Sequence, residues 1–521
     1  MPRARRRTFR AATGRRARIA LMASVLDRLE SFGAIDAETD FRPEFFVPST
    51  SWENVRRQRH PLVVGRKGTG KTALRKALLN EAASDPVIFA TDLAFRDYPW
   101  NIHHAVYDES VGGKSRYVET WLFLMLIELA KQAVGEDQAI PTAEAEEIAG
   151  WVRLFVQENW GSVAFDHRDI FRAKDYQVTR SFKPEAAGVS VGSVDWTRVP
   201  RARLGDSLNA MNRWLKTALA RILRDDVEYF LVFDELDLDF SQQDQQYLDS
   251  ITGLVLATQN FYLWTREQEL RALPVVLLRD DIYGVLQFPD KNKISLGLVE
   301  TIQWNADYEG PNALKTVVDA RIRALLDLPN DPGKDVWYDV FDEDVMRGTQ
   351  HKYLHMAQRT YLRPRDLIQF GNVCLDAARA RVRDHPDDSD RIANQDVTEA
   401  RTPYSNYLRS ELADEIFAHH PDWENWLELL RHIGTLTFTR EQLDTACAER
   451  ALLAGATEPA QILDALYSFS IIGFARRGGA GRGGTDEYWR YRDPEVTFDP
   501  NAPYFKVHPG LKENLDLKEG R

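Results

Sequence analysis

Apolar positions along this chain fall into two kinds of run, and their alternation predicts the architecture. Short unbroken runs occur at Pro61–Val64, Val87–Ala90, Tyr229–Phe233 and Val275–Leu278, with a shorter one at Val299–Trp304. Runs of this length without a polar face predict strands buried on both sides, as in a parallel sheet. Between them lie stretches with helical spacing: Ala73–Asn80, Tyr117–Val134, Leu208–Leu223 and Gln242–Trp264. Strands alternating with helices predict a three-layer α/β core with right-handed crossovers, spanning about residues 23–310.

The pattern changes three times. Residues 141–203 hold a helix at Ala143–Glu158 and then a polar and aromatic stretch of weak periodicity that includes Gly188–Ser193, which reads as an insertion or small subdomain. From Asn312 to Arg383 the spacing is helical throughout, predicting a helical segment over 311–400. In the last part, over 401–521, helices are predicted at Glu424–Ile433, Arg440–Arg450 and Pro459–Phe469. Two strand-like runs, Ile471–Arg477 and Tyr488–Asp493, then flank the glycine-rich tip Gly478–Gly484. Three helices followed by a hairpin is the winged-helix arrangement.

Composition narrows this picture little. With 521 residues the chain is too long for one core, and 44% hydrophobic with 28% charged residues is ordinary for folded domains. A net charge of −12 argues against a surface coated in nucleic acid but leaves room for local basic patches. The two cysteines, Cys374 and Cys447, support neither a disulfide framework nor a cysteine zinc site and read as small buried residues. No run reaches the ~18 apolar residues of a membrane helix. Residues 1–22 carry Arg3, Arg5, Arg6, Arg7, Arg10, Arg15, Arg16 and Arg18 without an acid and without the apolar stretch of a secretory signal. They read as a disordered basic tail, or as a segment preceding a true start at Met22. A cytoplasmic location follows as the expectation.

The candidate chemistry begins directly after the first strand. Gly65-Arg66-Lys67-Gly68-Thr69-Gly70-Lys71-Thr72 fits G-x-x-x-x-G-K-[ST] in full. Glycines let successive N–H groups turn inward around an anionic oxygen, and a helix beginning near Gly70 aims its positive end at the same place. Lys71 supplies an ammonium for β- and γ-phosphate oxygens, and the Thr72 hydroxyl is a magnesium ligand. Its fixed positions recur by chance in roughly one 500-residue chain in fifty. Here a strand precedes the loop and a helix follows it, so ATP and Mg2+ are the expected cofactors.

The second half is the strand Tyr229–Phe233, which ends in Asp234 and Glu235. Asp234 is placed to hold magnesium and Glu235 to polarise the attacking water. Asp237 and Asp239 read as a solvated loop, or as groups that orient the pair.

Gly68-Thr69-Gly70-Lys71-Thr72 with Asp234-Glu235-Leu236-Asp237 resembles the paired motifs of the AAA+ superfamily, in its initiator and STAND-type clades. The longer stretch Val64–Leu74, with Leu278-Arg279-Asp280-Asp281-Ile282, is similar to a group of bacterial P-loop ATPases whose loop reads GRKGxGKTA. The resemblance implies an α/β ATPase core, a helical lid over 311–400 and a C-terminal winged helix. It also implies a nucleotide-dependent switch in phage defence or stress signalling. Residue by residue, it makes Arg279 or Asp280 the sensor at the end of Val275–Leu278. Within Arg363-Pro364-Arg365-Asp366-Leu367, Arg365 is the first candidate for the lid arginine that reads the γ-phosphate and Arg363 the second, beside a purely structural arginine–aspartate cap.

Two features depart from the resemblance. Lys71 and Asp234 lie about 160 residues apart, roughly twice the spacing of the initiator clade, and the segment 141–203 supplies the excess. Where a trans-acting arginine finger belongs, Phe288–Lys293 offers only Lys291 and Lys293, and a lysine lacks the guanidinium fork. Slow turnover is the expectation. Candidate partners are a second copy of the chain, an effector protein encoded nearby, and DNA, with no membrane. The DNA alternative, an ATP-dependent loading protein, rests on Arg476, Arg477, Arg482, Arg490 and Arg492 interleaved with Tyr488, Trp489 and Tyr491. Against it, Pro459–Phe469 carries no cation. A third reading is a scaffold that holds ATP structurally.

Overall fold

Parallel pairing organises the first half of the molecule, seen in a computed structural model that describes residues 24–107, 113–135, 142–179, 196–237, 240–242, 244–331, 333–477 and 485–520. The strands in chain order are β1 (Leu62–Gly65), β2 (Ile88–Ala94), β3 (Asp175–Thr179), β4 (Trp196–Pro200), β5 (Glu228–Asp234), β6 (Ala272–Arg279) and β7 (Val299–Thr301). Five of them form one sheet in the order β2-β5-β6-β1-β7, with every pairing parallel. Every residue of β1, β5 and β6 is buried, which is why these strands read as unbroken apolar runs. β2 extends through Asp92 to Ala94, past the predicted end at Ala90, because it pairs with β5 along its whole length.

This α/β unit comprises Pro48–Lys67 and Lys71–Ile302. Its core is built on the helix Val118–Val134, whose sequence is apolar on all sides and whose residues are almost all buried. The described residues of the stretch 141–203 pack into this core. Phe155, Val156, Tyr176, Val178 and Val199 belong to the same core, and Trp214 meets Phe155 at 5.1 Å between ring centroids. β3 and β4 pair in an antiparallel hairpin that the periodicity did not reveal. Gly188–Ser193 lies outside the described residues.

The second unit contains residues up to Val47, Gly68–Gly70 and Gln303–Arg521. The helices Leu314–Leu326, Pro364–Asp384 and Arg401–Ile416 share one apolar core with Trp423–Ile433, Arg440–Glu449 and Pro459–Ser468. Four short strands close this unit: β8 (Thr437–Phe438), β9 (Ile472–Arg477), β10 (Thr485–Tyr488) and β11 (Phe505–Val507). They form an antiparallel sheet in the order β10-β9-β11-β8. β10 ends at Tyr488, where a strand was predicted to begin. The chain turns there because the N–H groups of Arg492 and Asp493 both donate to the Trp489 carbonyl, and Trp489 is buried. The predicted tip Gly478–Gly484 and the basic residues 1–22 lie outside the described residues, as do Arg482 and Asp239. Both cysteines are buried and free. Among the described residues no helix is long and apolar enough to cross a membrane.

Candidate functional site

Open parallel sheets present ligand sites at the carboxyl ends of their strands. Here those of β1, β5 and β6 carry Gly65, Asp234 and Arg279. After Gly65 the chain passes through Arg66, Lys67, Gly68, Thr69 and Gly70 and enters the helix Lys71–Ser84. Gly68 and Gly70 adopt φ of +82° and +103°, a backbone region that side-chain-bearing residues rarely enter. The loop thus needs glycine at both positions for backbone reasons alone.

Lys71 turns its ammonium back onto the loop, donating to the carbonyls of Gly65 at 2.7 Å and Arg66 at 3.0 Å. Burial pushes its pKa below the ordinary lysine value, opposed by the carboxylates of Asp237, Asp234 and Asp280. One residue on, the Thr72 hydroxyl donates to Asp234 Oδ2 at 3.0 Å. The loop and the acidic strand end, far apart in sequence, are therefore joined by one hydrogen bond.

Asp234 is only 5% exposed, and burial pushes its carboxyl pKa up, with Arg75 the foremost opposing influence. Its Oδ1 accepts the Glu235 N–H at 2.9 Å. Glu235 itself sits at φ +59°, and its Oε1 accepts from Arg96 Nη2 at 2.8 Å. Arg75 was not singled out from the sequence, nor was Arg96. Arg75 lies one helical turn after Thr72, the spacing that places two side chains on one face, and this was the one signal in the sequence.

Arg279 does not point free into the site. Its guanidinium is paired with Asp281 through Nε at 3.0 Å and Nη2 at 2.6 Å, and Nη1 reaches Asp237 at 3.4 Å. Asp280 follows it as the first residue of the helix Asp280–Val285 and accepts the Asp281 N–H at 3.0 Å. Lys291 is a structural cap, since its ammonium donates to the carbonyls of Tyr283, Gly284 and Leu286 at 2.7–2.8 Å. That contact set removes it as a trans-acting finger and leaves the exposed Lys293.

In the helical unit the two lid arginines differ sharply. Arg363 is 0% exposed; it forks onto Asp366 at 2.8 and 2.9 Å and also contacts Glu415, so it is the structural cap and not a sensor. Arg365 donates to Glu411 at 3.0 Å. Gly68 clusters with this same unit, and Arg365 Cβ and Cδ stand 3.0 and 3.1 Å from where a Gly68 side chain would begin. The Trp304 indole donates to the Thr69 carbonyl at 2.9 Å.

The residues present fit a magnesium nucleotide. A hydroxyl and a carboxylate are hard oxygen donors, and magnesium is ordinarily held by one or two such groups together with phosphates and water. Among the described residues no group of three or more His, Cys, Asp or Glu is placed to hold a metal without help. Three of the hairpin arginines also make contacts within the protein. Arg476 donates to the Thr497 carbonyl at 2.8 Å and lies 5.2 Å over both Phe474 and Tyr488, Arg490 contacts the Pro494 carbonyl, and Arg492 covers Tyr491.

Residues 312–413 match the FunZ-associated C-terminal helical domain. Among solved structures the chain is similar to a Walker-type ATPase of Pyrococcus abyssi. The two share 11% identity over 93% of this chain and 99% of that one, at a TM-score of 0.37, a likeness too loose to define the fold. None of the curated proteins matches the sequence.

Proposed function

We propose that this chain is a cytoplasmic AAA+/STAND-like P-loop ATPase that binds ATP with magnesium, hydrolyses it slowly, and uses its nucleotide state as a switch. The observation that carries the reading is the hydrogen bond from Thr72 to Asp234, which brings the hydroxyl and the carboxylate to one point beside Lys71. On nucleotide binding Lys71 exchanges its two loop carbonyls for phosphate oxygens. Thr72 and Asp234 would hold magnesium, which neutralises charge on the phosphates. Glu235 orients the attacking water once it leaves Arg96.

Arg365 is the candidate reader of the γ-phosphate, because its guanidinium is the paired fork that such reading requires and its stem lies against Gly68. With Lys291 committed to capping carbonyls, the segment Phe288–Lys293 offers only Lys293 to speed the reaction in trans, and a lysine lacks the guanidinium fork. That favours slow turnover, since an arginine finger is worth about 10³–10⁵ in rate. The last segment, with its helices and the β9–β10 hairpin, is read as a winged helix that engages protein: a second copy or an effector in defence or stress signalling. DNA loading is the weaker reading, because Arg476, Arg490 and Arg492 are engaged within the hairpin.

Fluorescent-nucleotide binding and phosphate release test the core of this reading. Lys71→Ala is expected to abolish both, and Glu235→Gln to keep binding while abolishing release. Unchanged phosphate release in Glu235→Gln would remove Glu235 from the reaction, and no release by the unsubstituted protein would leave only a structural role for the nucleotide.

A further inference from the structure

Arg75 sits one turn beyond Thr72 on the helix Lys71–Ser84 and is only 3% exposed. A guanidinium does not stay buried without carboxylates to pair with. It finds two. Nε and Nη2 fork onto Asp92 at 2.7 and 3.0 Å, and Nη1 reaches Asp234 Oδ2 at 3.2 Å.

The sheet explains why both acids lie within reach of one side chain. β2 and β5 run parallel with Asp92 opposite Val232 and Ala94 opposite Asp234. Because side chains alternate with a period of two, Asp92 and Asp234 stand on the same face of the sheet, two residues apart along the strands. Asp234 Oδ2 is also the oxygen that accepts from Thr72, while Oδ1 is taken by the Glu235 N–H. Arg75 therefore joins the contacts that fix the Asp234 carboxylate, and Asp92 holds Arg75 in turn.

We propose that Arg75 is a positioning residue for the metal side of the nucleotide site. Clamped by Asp92, it holds the Asp234 carboxylate and, through it, the Thr72 hydroxyl in the arrangement that magnesium requires. The inference rests on the ATP-binding reading above. It makes a separate claim, that Arg75 governs the magnesium-dependent part of nucleotide affinity and not the part supplied by Lys71 and the loop.

The test measures affinity for a fluorescent ATP analogue with the full chain, once in EDTA and once in magnesium. In Arg75→Gln the EDTA value is expected to hold while the tightening by magnesium shrinks by about 10–100-fold, the usual loss when a group behind a metal ligand is removed. Thr72→Ala is expected to give the same signature. Arg75→Lys should recover only part of the tightening, since a point charge cannot fork onto Asp92 and reach Asp234 together. Asp92→Asn provides a variant on a side chain that is 38% exposed, so it answers even if Arg75→Gln fails to fold, and it should move the ratio in the same direction. An unchanged magnesium effect in Asp92→Asn and Arg75→Gln, or equal losses in EDTA and magnesium, overturns the proposal. No ATP binding by the unsubstituted protein would remove the underlying reading as well.

Discussion

Arg96 and Glu235 meet at 2.8 Å, joining the second residue after β2 to the residue that follows β5, and the glutamate that accepts this contact sits at φ +59°. A carboxylate so engaged is not free to polarise water. The Arg96 side chain is 61% exposed, so the pair is a weak restraint. Arg96→Ala is therefore expected to raise phosphate release by about two- to five-fold, the range that an exposed ion pair allows, with nucleotide affinity unchanged. A fall in release would show that Arg96 assists the reaction instead of restraining Glu235.

The two neighbouring lid arginines should separate cleanly by experiment. Arg363 is enclosed with Asp366 and Glu415, and replacing it by methionine removes the cation that both buried carboxylates contact. The expected cost is about 3–5 kcal/mol, read as an earlier denaturant transition of the helical unit. Arg365→Ala removes a partly accessible group paired with Glu411, and should leave that transition in place. Its expected effect is a lost preference for ATP over ADP. Arg365→Ala unfolding as readily as Arg363→Met would make both arginines structural.

What could be read in the sequence and what could not divide along a physical line. The loop Gly65–Thr72, the strand ending at Asp234 and the long helix through Trp121 are each encoded by adjacent residues, so period and composition reveal them. Arg75 with Asp92, and Arg96 with Glu235, depend on the register between β2 and β5, which no local pattern contains. The hairpin of β3 and β4 is an intermediate case. Buried Tyr176 and Val178 alternate with polar Asp175 and Gln177, a true period-two signal, but one too short to stand out within a polar stretch. Lys291 misled for another reason: its position matched a finger while its ammonium was committed to the end of the preceding helix.

Acid should weaken the fold through buried histidines. In the helical unit His355 Nε2 meets Arg401 at 2.8 Å, and burial with the Arg359 and Arg401 charges lowers its pKa from 6.5 to about 3. In the α/β unit burial likewise lowers His104 to about 4. The unfolded chain takes up these protons near pH 6.5 while the fold refuses them, so protonation favours unfolding. Stability is thus full above pH 6.5 and falls as pH drops toward the folded values, by up to about 1.4 kcal/mol per pH unit per histidine. Melting temperature measured from pH 7 to pH 4.5 should show the decline. His355→Gln keeps an acceptor for Arg401 and should flatten the part that belongs to the helical unit; an identical slope in that variant would assign the acid sensitivity elsewhere.

Gly68→Ala tests the loop at its tightest point. An added Cβ meets two independent obstacles there: the φ of +82°, which costs an L-residue roughly 1–2 kcal/mol, and the Arg365 side chain at 3.0–3.1 Å. Gly70 provides the control, because its φ is +103° but a Cβ would meet nothing within 4 Å. Both substitutions should reduce nucleotide affinity, with Gly68→Ala the more harmful. The excess belongs to Arg365, whose Cβ and Cδ are the two nearest atoms, and only glycine removes both. G68A/R365G should therefore bind ATP better in EDTA than the two single losses, added together, would allow. A double variant that loses the two effects additively would mean that the alanine is accommodated by the loop itself and that Arg365 does not bear on Gly68.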